Sequence, residues 1–366
     1  MGKAAKEHLH RVLISHLNTI HETFQVLDDT PASSLEKVDW QEVITMGEQV
    51  SKQATVAGML WTGEAPDLKA LEENMGVYFN MLQGFLLLSH GSKMGAGPTL
   101  CSCIHASAKQ VVDTSFSFFK EAVSSCGSRN KDRKLSLPQL AGTVWEACAS
   151  LKKTPTTNYT AIGRAITQVA VSIKDVLREL KDLKPGSTDP TNETPDESAT
   201  ETSTHDENDD DGSSEGDLGN DLSPEEMKIA ESAISVVSDT LVVIKELIRF
   251  ITGLLRQSNP NNSKESVDSL EVLLKLCQEI GVQIDELGAC LYPPQEVPAL
   301  KVGGEKISDR IREVQAEVRR LEGSCESFFQ ACEGLESSLR KLQTELGFSE
   351  TTLIVTEMQN LAVSSV

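Results

Sequence analysis

Apolar residues recur along this chain in steps of three and four, the spacing that lines one face of an α-helix. Leu9, Leu13, Leu17, Ile20, Phe24 and Leu27 form one such stripe until Thr30-Pro31 stops it. Val43, Met46, Val50, Ala57 and Leu60 make a second, ending near Gly63 and Pro66. Asp67 opens a third through Leu68, Leu71, Met75, Tyr78, Leu82 and Phe85, and the glycine-rich run between Ser89 and Pro98 predicts a loop after it. Ile104, Ala108, Val111, Phe118 and Ala122 predict a fourth helix, and Val144, Trp145 and Cys148 a short fifth that ends at Pro155. Tyr159, Ile162, Ile166, Val169, Ile173, Val176, Leu180 and Leu183 carry the pattern unbroken through a sixth.

Farther along, Ser223-Pro224-Glu225-Glu226 is a strong helix start: a capping hydroxyl, proline at the first position and acids in the first turn. The stripes that follow predict helices over 224–257, 263–291 and 302–346. In the last of these, Ile307, Ile311, Val314, Val318, Leu321, Cys325, Phe328, Cys332, Leu335, Leu339, Leu342 and Leu346 alternate steps of four and three, a heptad seam. Such a seam serves either the core of an antiparallel bundle or pairing with another protein's helix. The period-two alternation of a half-buried strand occurs nowhere. The expected fold is all-α: an antiparallel bundle of about five long helices, then a set of long C-terminal helices.

Between the two helical regions the apolar residues vanish. Lys184 to Leu222 holds thirteen acids and one lysine among Ser, Thr, Pro and Gly. Such a stretch cannot bury enough surface to offset chain entropy, so it reads as a disordered acidic linker. The predicted organisation is a bundle over 1–183, the linker over 184–222, a helical domain over 223–348 and a tail over 349–366 with no assigned role. With three helices, the C-terminal region is expected either to dock on the first bundle or to borrow a partner helix. Ser213 and Ser214 precede Glu215 and Asp217, the context favoured by acidophilic kinases, and are phosphate-acceptor candidates.

Composition narrows the function. Only 4% of residues are aromatic, which fits helices of Leu, Ala, Val, Glu and Lys better than sheets. A net charge of −21 argues against direct nucleic-acid binding, which needs clustered Lys and Arg. The start, Met1-Gly2-Lys3-Ala4-Ala5-Lys6, has no apolar core of a secretory signal, and no run reaches membrane-spanning length. Lys6 stands where a myristoylation motif wants Ser or Thr. The expectation is an intracellular protein with its eight cysteines reduced.

No catalytic constellation is visible: no phosphate loop after a strand, no paired-cysteine zinc spacing, no HExxH. Cys101, Cys103 and His105 invite a metal reading, but residues two apart on a helix turn about 200° from each other and cannot converge on one ion. His90 beside Lys93 has a phosphorelay flavour, yet stands at the mouth of the glycine-rich loop rather than mid-helix. No enzyme, cofactor, metal or small-molecule substrate is expected.

Val144-Trp145-Glu146-Ala147-Cys148, the run Phe85-Leu86-Leu87-Leu88 leading to Gly97-Pro98-Thr99-Leu100, and Leu291-Tyr292-Pro293-Pro294 together resemble the cyclin-D-binding protein family, helix-loop-helix proteins without a basic region. The order of parts matches, across residues 36 to 346. The resemblance implies a soluble nuclear and cytoplasmic regulator that binds D-type cyclins, dampens cell-cycle progression and pairs with helix-loop-helix transcription factors. Arg310, Arg312, Arg319 and Arg320 are interleaved with Glu313, Glu317 and Glu322, so no compact basic region exists to enter a major groove. The seam positions Ile307, Ile311, Val314, Val318 and Leu321 are therefore candidate partner contacts. Arg133-Lys134-Leu135-Ser136-Leu137 adds a second candidate, since Arg133, Leu135 and Leu137 have the form of the short docking peptides that cyclins accept. The competing class is a cytoskeletal or scaffold adaptor of the vinculin and talin kind, which amphipathic helices alone equally support.

Overall fold

The computed structural model describes residues 3–28, 36–62, 68–125, 131–185, 221–256, 264–321, 323 and 325–363. The protein is all-α. Among the described residues ten helices follow one another: α1 (Lys3–Gln25), α2 (Trp40–Thr62), α3 (Leu68–Ser92), α4 (Pro98–Ser125), α5 (Lys131–Ser150), α6 (Asn158–Lys181), α7 (Pro224–Arg256), α8 (Lys264–Ala289), α9 (Val297–Arg320) and α10 (Glu326–Val363). Single 3-10 turns end the α1 region at Val26–Asp28 and follow α5 at Leu151–Lys153. Extended structure among the described residues is one two-residue parallel bridge, Lys184 with Asp221 and Pro185 with Leu222.

The chain gathers into two compact units, residues 1–165 with 254–272, and residues 166–253 with 273–366. In the first, α1 lies on α3 and α4, α2 on α3 and α5, and α4 on α5. The apolar stripes explain this arrangement, because each helix turns its own stripe inward. Leu9, Leu13 and Ile20 of α1 meet Leu71, Met75 and Leu82 of α3 in one core cluster with Val111, Phe118 and Ala122 of α4. At its centre the rings of Tyr78, Phe79, Phe118 and Phe119 are packed within 6 Å of one another, centroid to centroid, in four pairs. Polar ring atoms that enter the core find partners: Trp40 Nε1 donates to the Leu151 carbonyl at 3.0 Å, and Tyr78 Oη bonds Ser115 Oγ at 2.7 Å.

In the second unit, α8 runs parallel to α6 along a seven-residue repeat. Gly281 faces Val169 and Gly288 faces Val176, where an added Cβ would stand 3.1 and 3.0 Å from the valine methyls. The absent side chains let the two backbones approach. Ser338 of α10 donates to Asp239 of α7 at 2.5 Å, Arg310 of α9 reaches Glu279 of α8 at 3.3 Å, and Leu339 of α10 packs over Gly304 of α9.

Two expectations are corrected, the single helix over 302–346 and the short fifth helix. The predicted helix over 302–346 is two helices: α9 ends at Leu321, whose φ −90° and ψ 127° are extended, and α10 begins at Glu326. The seam reads through this break because Leu321 and Phe328 on either side are both buried. α10 continues through the tail as far as Val363. The fifth helix is twenty residues long and starts at Lys131, hidden in the sequence by its polar first turn and by Pro138 within it. Residues 185 and 221, which flank the acidic stretch, both belong to the second unit. The compact division falls within α6, α7 and α8.

Candidate interaction surfaces

The two predicted partner segments are helical, and the side chains of Arg133 and Leu135 lie outside those described. Lys131 to Leu137 forms the first turns of α5 rather than an extended peptide, and Leu137 is buried in the core. On α9, Ile307, Ile311, Val314 and Val318 are at most 1% exposed and Leu321 8%. This seam is already covered by the second unit's own helices. Ser213 and Ser214 lie outside the described residues.

The loop between α3 and α4 is held from two directions. Gly97 N donates to Asn158 Oδ1 at 2.8 Å, while Asn158 Nδ2 donates to the Gly95 carbonyl at 2.9 Å. Glu271 takes Thr99 N on Oε1 at 2.9 Å and Thr99 Oγ1 on Oε2 at 2.6 Å. A carboxylate thus sits on the first turn of α4, where the helix leaves N–H groups unpaired and its dipole favours negative charge. Gly97 is required here, since a Cβ would come within 2.7 Å of both Glu271 Oε1 and Val267. Asn158 and Glu271 stand 61 and 172 residues from their partners, so no local pattern could have indicated them.

The thiols and histidines nearby are dispersed. Cys101 Sγ donates to the Ala96 carbonyl at 3.6 Å, and His105 lies 3.3 Å from Asp28 with its ring 4.8 Å from that of Phe24. Partial burial pushes the Cys101 and Cys103 thiols up from their ordinary values. Among the described residues no three His, Cys, Asp or Glu gather as metal ligands. His90 lies in the last turn of α3, and Lys93 is buried with its Nζ donating to the Leu27 carbonyl, closing the turn after α1. Burial raises Cys148 and Cys277 to about 12 and Cys332 to about 11, which leaves these three thiols protonated and inert.

Helices α1 and α4 border a groove of about 970 Å³. Its rim carries Lys6, His10, Arg11 and Lys120 against one carboxylate, Glu7, and Leu13 and Val123 form its floor. Nothing in the sequence brings these together, because Lys120 is more than a hundred residues from Arg11. Only the pairing of α1 with α4 does.

Two family models match this chain, Grap2 and cyclin-D-interacting, N-terminal, over residues 42–186, and its C-terminal counterpart over residues 206–316. The matched regions contain the α3–α4 loop, Asn158 and Glu271, and stop before α10. The chain is also 22% identical over 283 residues, 75% of its length, to the cyclin-D1-binding protein 1 homolog of Xenopus laevis, covering 78% of that protein. With both halves of the family pattern present in order, the chain belongs to the Grap2 and cyclin-D-interacting family.

Proposed function

We propose that this protein acts without catalysis, as a binding protein for D-type cyclins that restrains cell-cycle progression from the nucleus and cytoplasm. The observation that carries the reading is the match of both family halves, whose description is cyclin-D interaction, together with a relative named for binding cyclin D1. The chemistry of the fold agrees with it: the buried thiols are protonated, and the conspicuous polar groups of the α3–α4 loop are spent on holding backbone.

Pairing with a helix-loop-helix factor through Ile307, Ile311, Val314, Val318 and Leu321 would require opening the second unit, so the cyclin reading is the one proposed. Calorimetric titration of the whole chain with a D-type cyclin tests it. A dissociation constant near micromolar, about −8 kcal/mol, is the expected result. No heat at about 100 μM, roughly −5.5 kcal/mol, overturns it.

A further inference from the structure

Several basic side chains in this acidic protein sit beside carboxylates one turn away on their own helix. Lys109 pairs with Asp113, Arg178 with Asp175, Arg249 with Glu246 and Arg312 with Asp309. The α1–α4 groove departs from this pattern. Among the described residues, no carboxylate pairs with Lys6, Arg11 or Lys120. Lys6 Nζ donates to the Ser124 carbonyl in the last turn of α4, and Lys120 Nζ stands 5.9 Å from the centre of the Phe116 ring. Arg11 and His10 are exposed.

Three cations and an apolar floor beside a single carboxylate form a local field of the opposite sign to the −21 of the whole chain. Lys6, His10 and Leu13 follow one another at i, i+4 and i+7 along α1, a stripe of about 10 Å or two helical turns. We propose that this groove docks an acidic amphipathic helical segment of a partner protein. Its carboxylates meet Arg11, Lys120 and Lys6, and an apolar side chain settles over Leu13 and Val123. A polyanion fits less well, because a stripe of two turns neutralises only about three phosphates while the remaining charge of the chain repels the rest. This docking does not depend on a cyclin being the partner.

The probe is a fluorescein-labelled peptide of about sixteen residues with Glu along one helical face and Leu along the other. Its anisotropy is followed on addition of the full chain, of Arg11→Glu/Lys120→Glu, and of Lys69→Glu/Lys275→Glu, which makes the same charge change elsewhere. Both altered groove residues are exposed, so the fold is expected to survive, and circular dichroism checks it. Arg11→Ala/Lys120→Ala supplies the same loss of charge contacts with a smaller perturbation. The expected result is binding weakened about tenfold or more by the groove variants and less than about twofold by the control, with the effect fading at high salt. A scrambled peptide of the same composition is expected to bind more weakly. Equal loss in the control, no binding at about 100 μM, or preference for oligothymidylate or phosphatidylserine vesicles over the peptide overturns the proposal.

Discussion

Tyr78 and Ser115 share a buried hydrogen bond between α3 and α4, but their hydroxyls are not equally dependent on it. Ser115 Oγ also donates to the Val111 carbonyl at 2.7 Å, whereas Ser115 Oγ is the partner of the fully buried Tyr78 hydroxyl. Tyr78→Phe therefore leaves Ser115 bonded, while Ser115→Ala strands a phenol in an apolar core. Urea unfolding is expected to show Ser115→Ala losing about 1–3 kcal/mol and Tyr78→Phe about 1 kcal/mol or less. The same residue-scale reasoning applies to the α3–α4 loop. Gly97→Ala forces a methyl against Glu271 and Val267 and is expected to cost about 1–3 kcal/mol, well beyond an exposed Gly→Ala change. If both loop variants, Gly97→Ala and Glu271→Ala, unfold like the parent, the carboxylate on the first turn of α4 contributes nothing.

At the scale of elements, α7 starts as its sequence foretells. Ser223 N donates to Glu226 Oε2 at 2.9 Å and Glu226 N to Ser223 Oγ at 3.2 Å, a reciprocal capping box. The hydrogen bond from the Ser223 backbone holds the Glu226 carboxyl below its ordinary value. A carboxyl lowered in the folded state stabilises the fold above its unfolded value, near 4.5, and that stability is lost as pH falls through the folded value. Glu226→Gln is thus expected to be less stable than the parent at pH 7, with the gap closing under acid, while Ser223→Ala costs about 1 kcal/mol. Helix starts and buried stripes such as these were legible because cap residues and 3-4 spacing are local signals. The break between α9 and α10 was not, since the buried register continues across Leu321 and Phe328 and period alone cannot see an interrupted backbone. An apolar stripe such as that on α9 reports that a face is covered, not by which chain. The groove and the Glu271 clasp depend on helices far apart in sequence, where no local signal exists.

For the whole molecule, the division into units sets a test that the acidic stretch alone would misjudge. A cut within 186–220 leaves fragments 1–183 and 223–366, which look like natural domains by composition. Yet the first unit draws residues 254–272 from the second fragment, and the second unit draws residues 166–183 from the first. Fragment 1–183 would lack Glu271 on the first turn of α4, and fragment 223–366 would lack Val169 and Val176 beneath Gly281 and Gly288. Each fragment alone is expected to unfold at lower urea than the intact chain and with less cooperativity. Co-expressed, the two are expected to purify together through a tag on either one and to recover the parent's transition. Removing only residues 190–216 spares every described helix, so that deletion is expected to leave the unfolding midpoint nearly unchanged. Fragments that each fold alone with sharp transitions and do not associate would place the boundary at the acidic stretch after all, and α6 and α8 would then be bound to separate bundles.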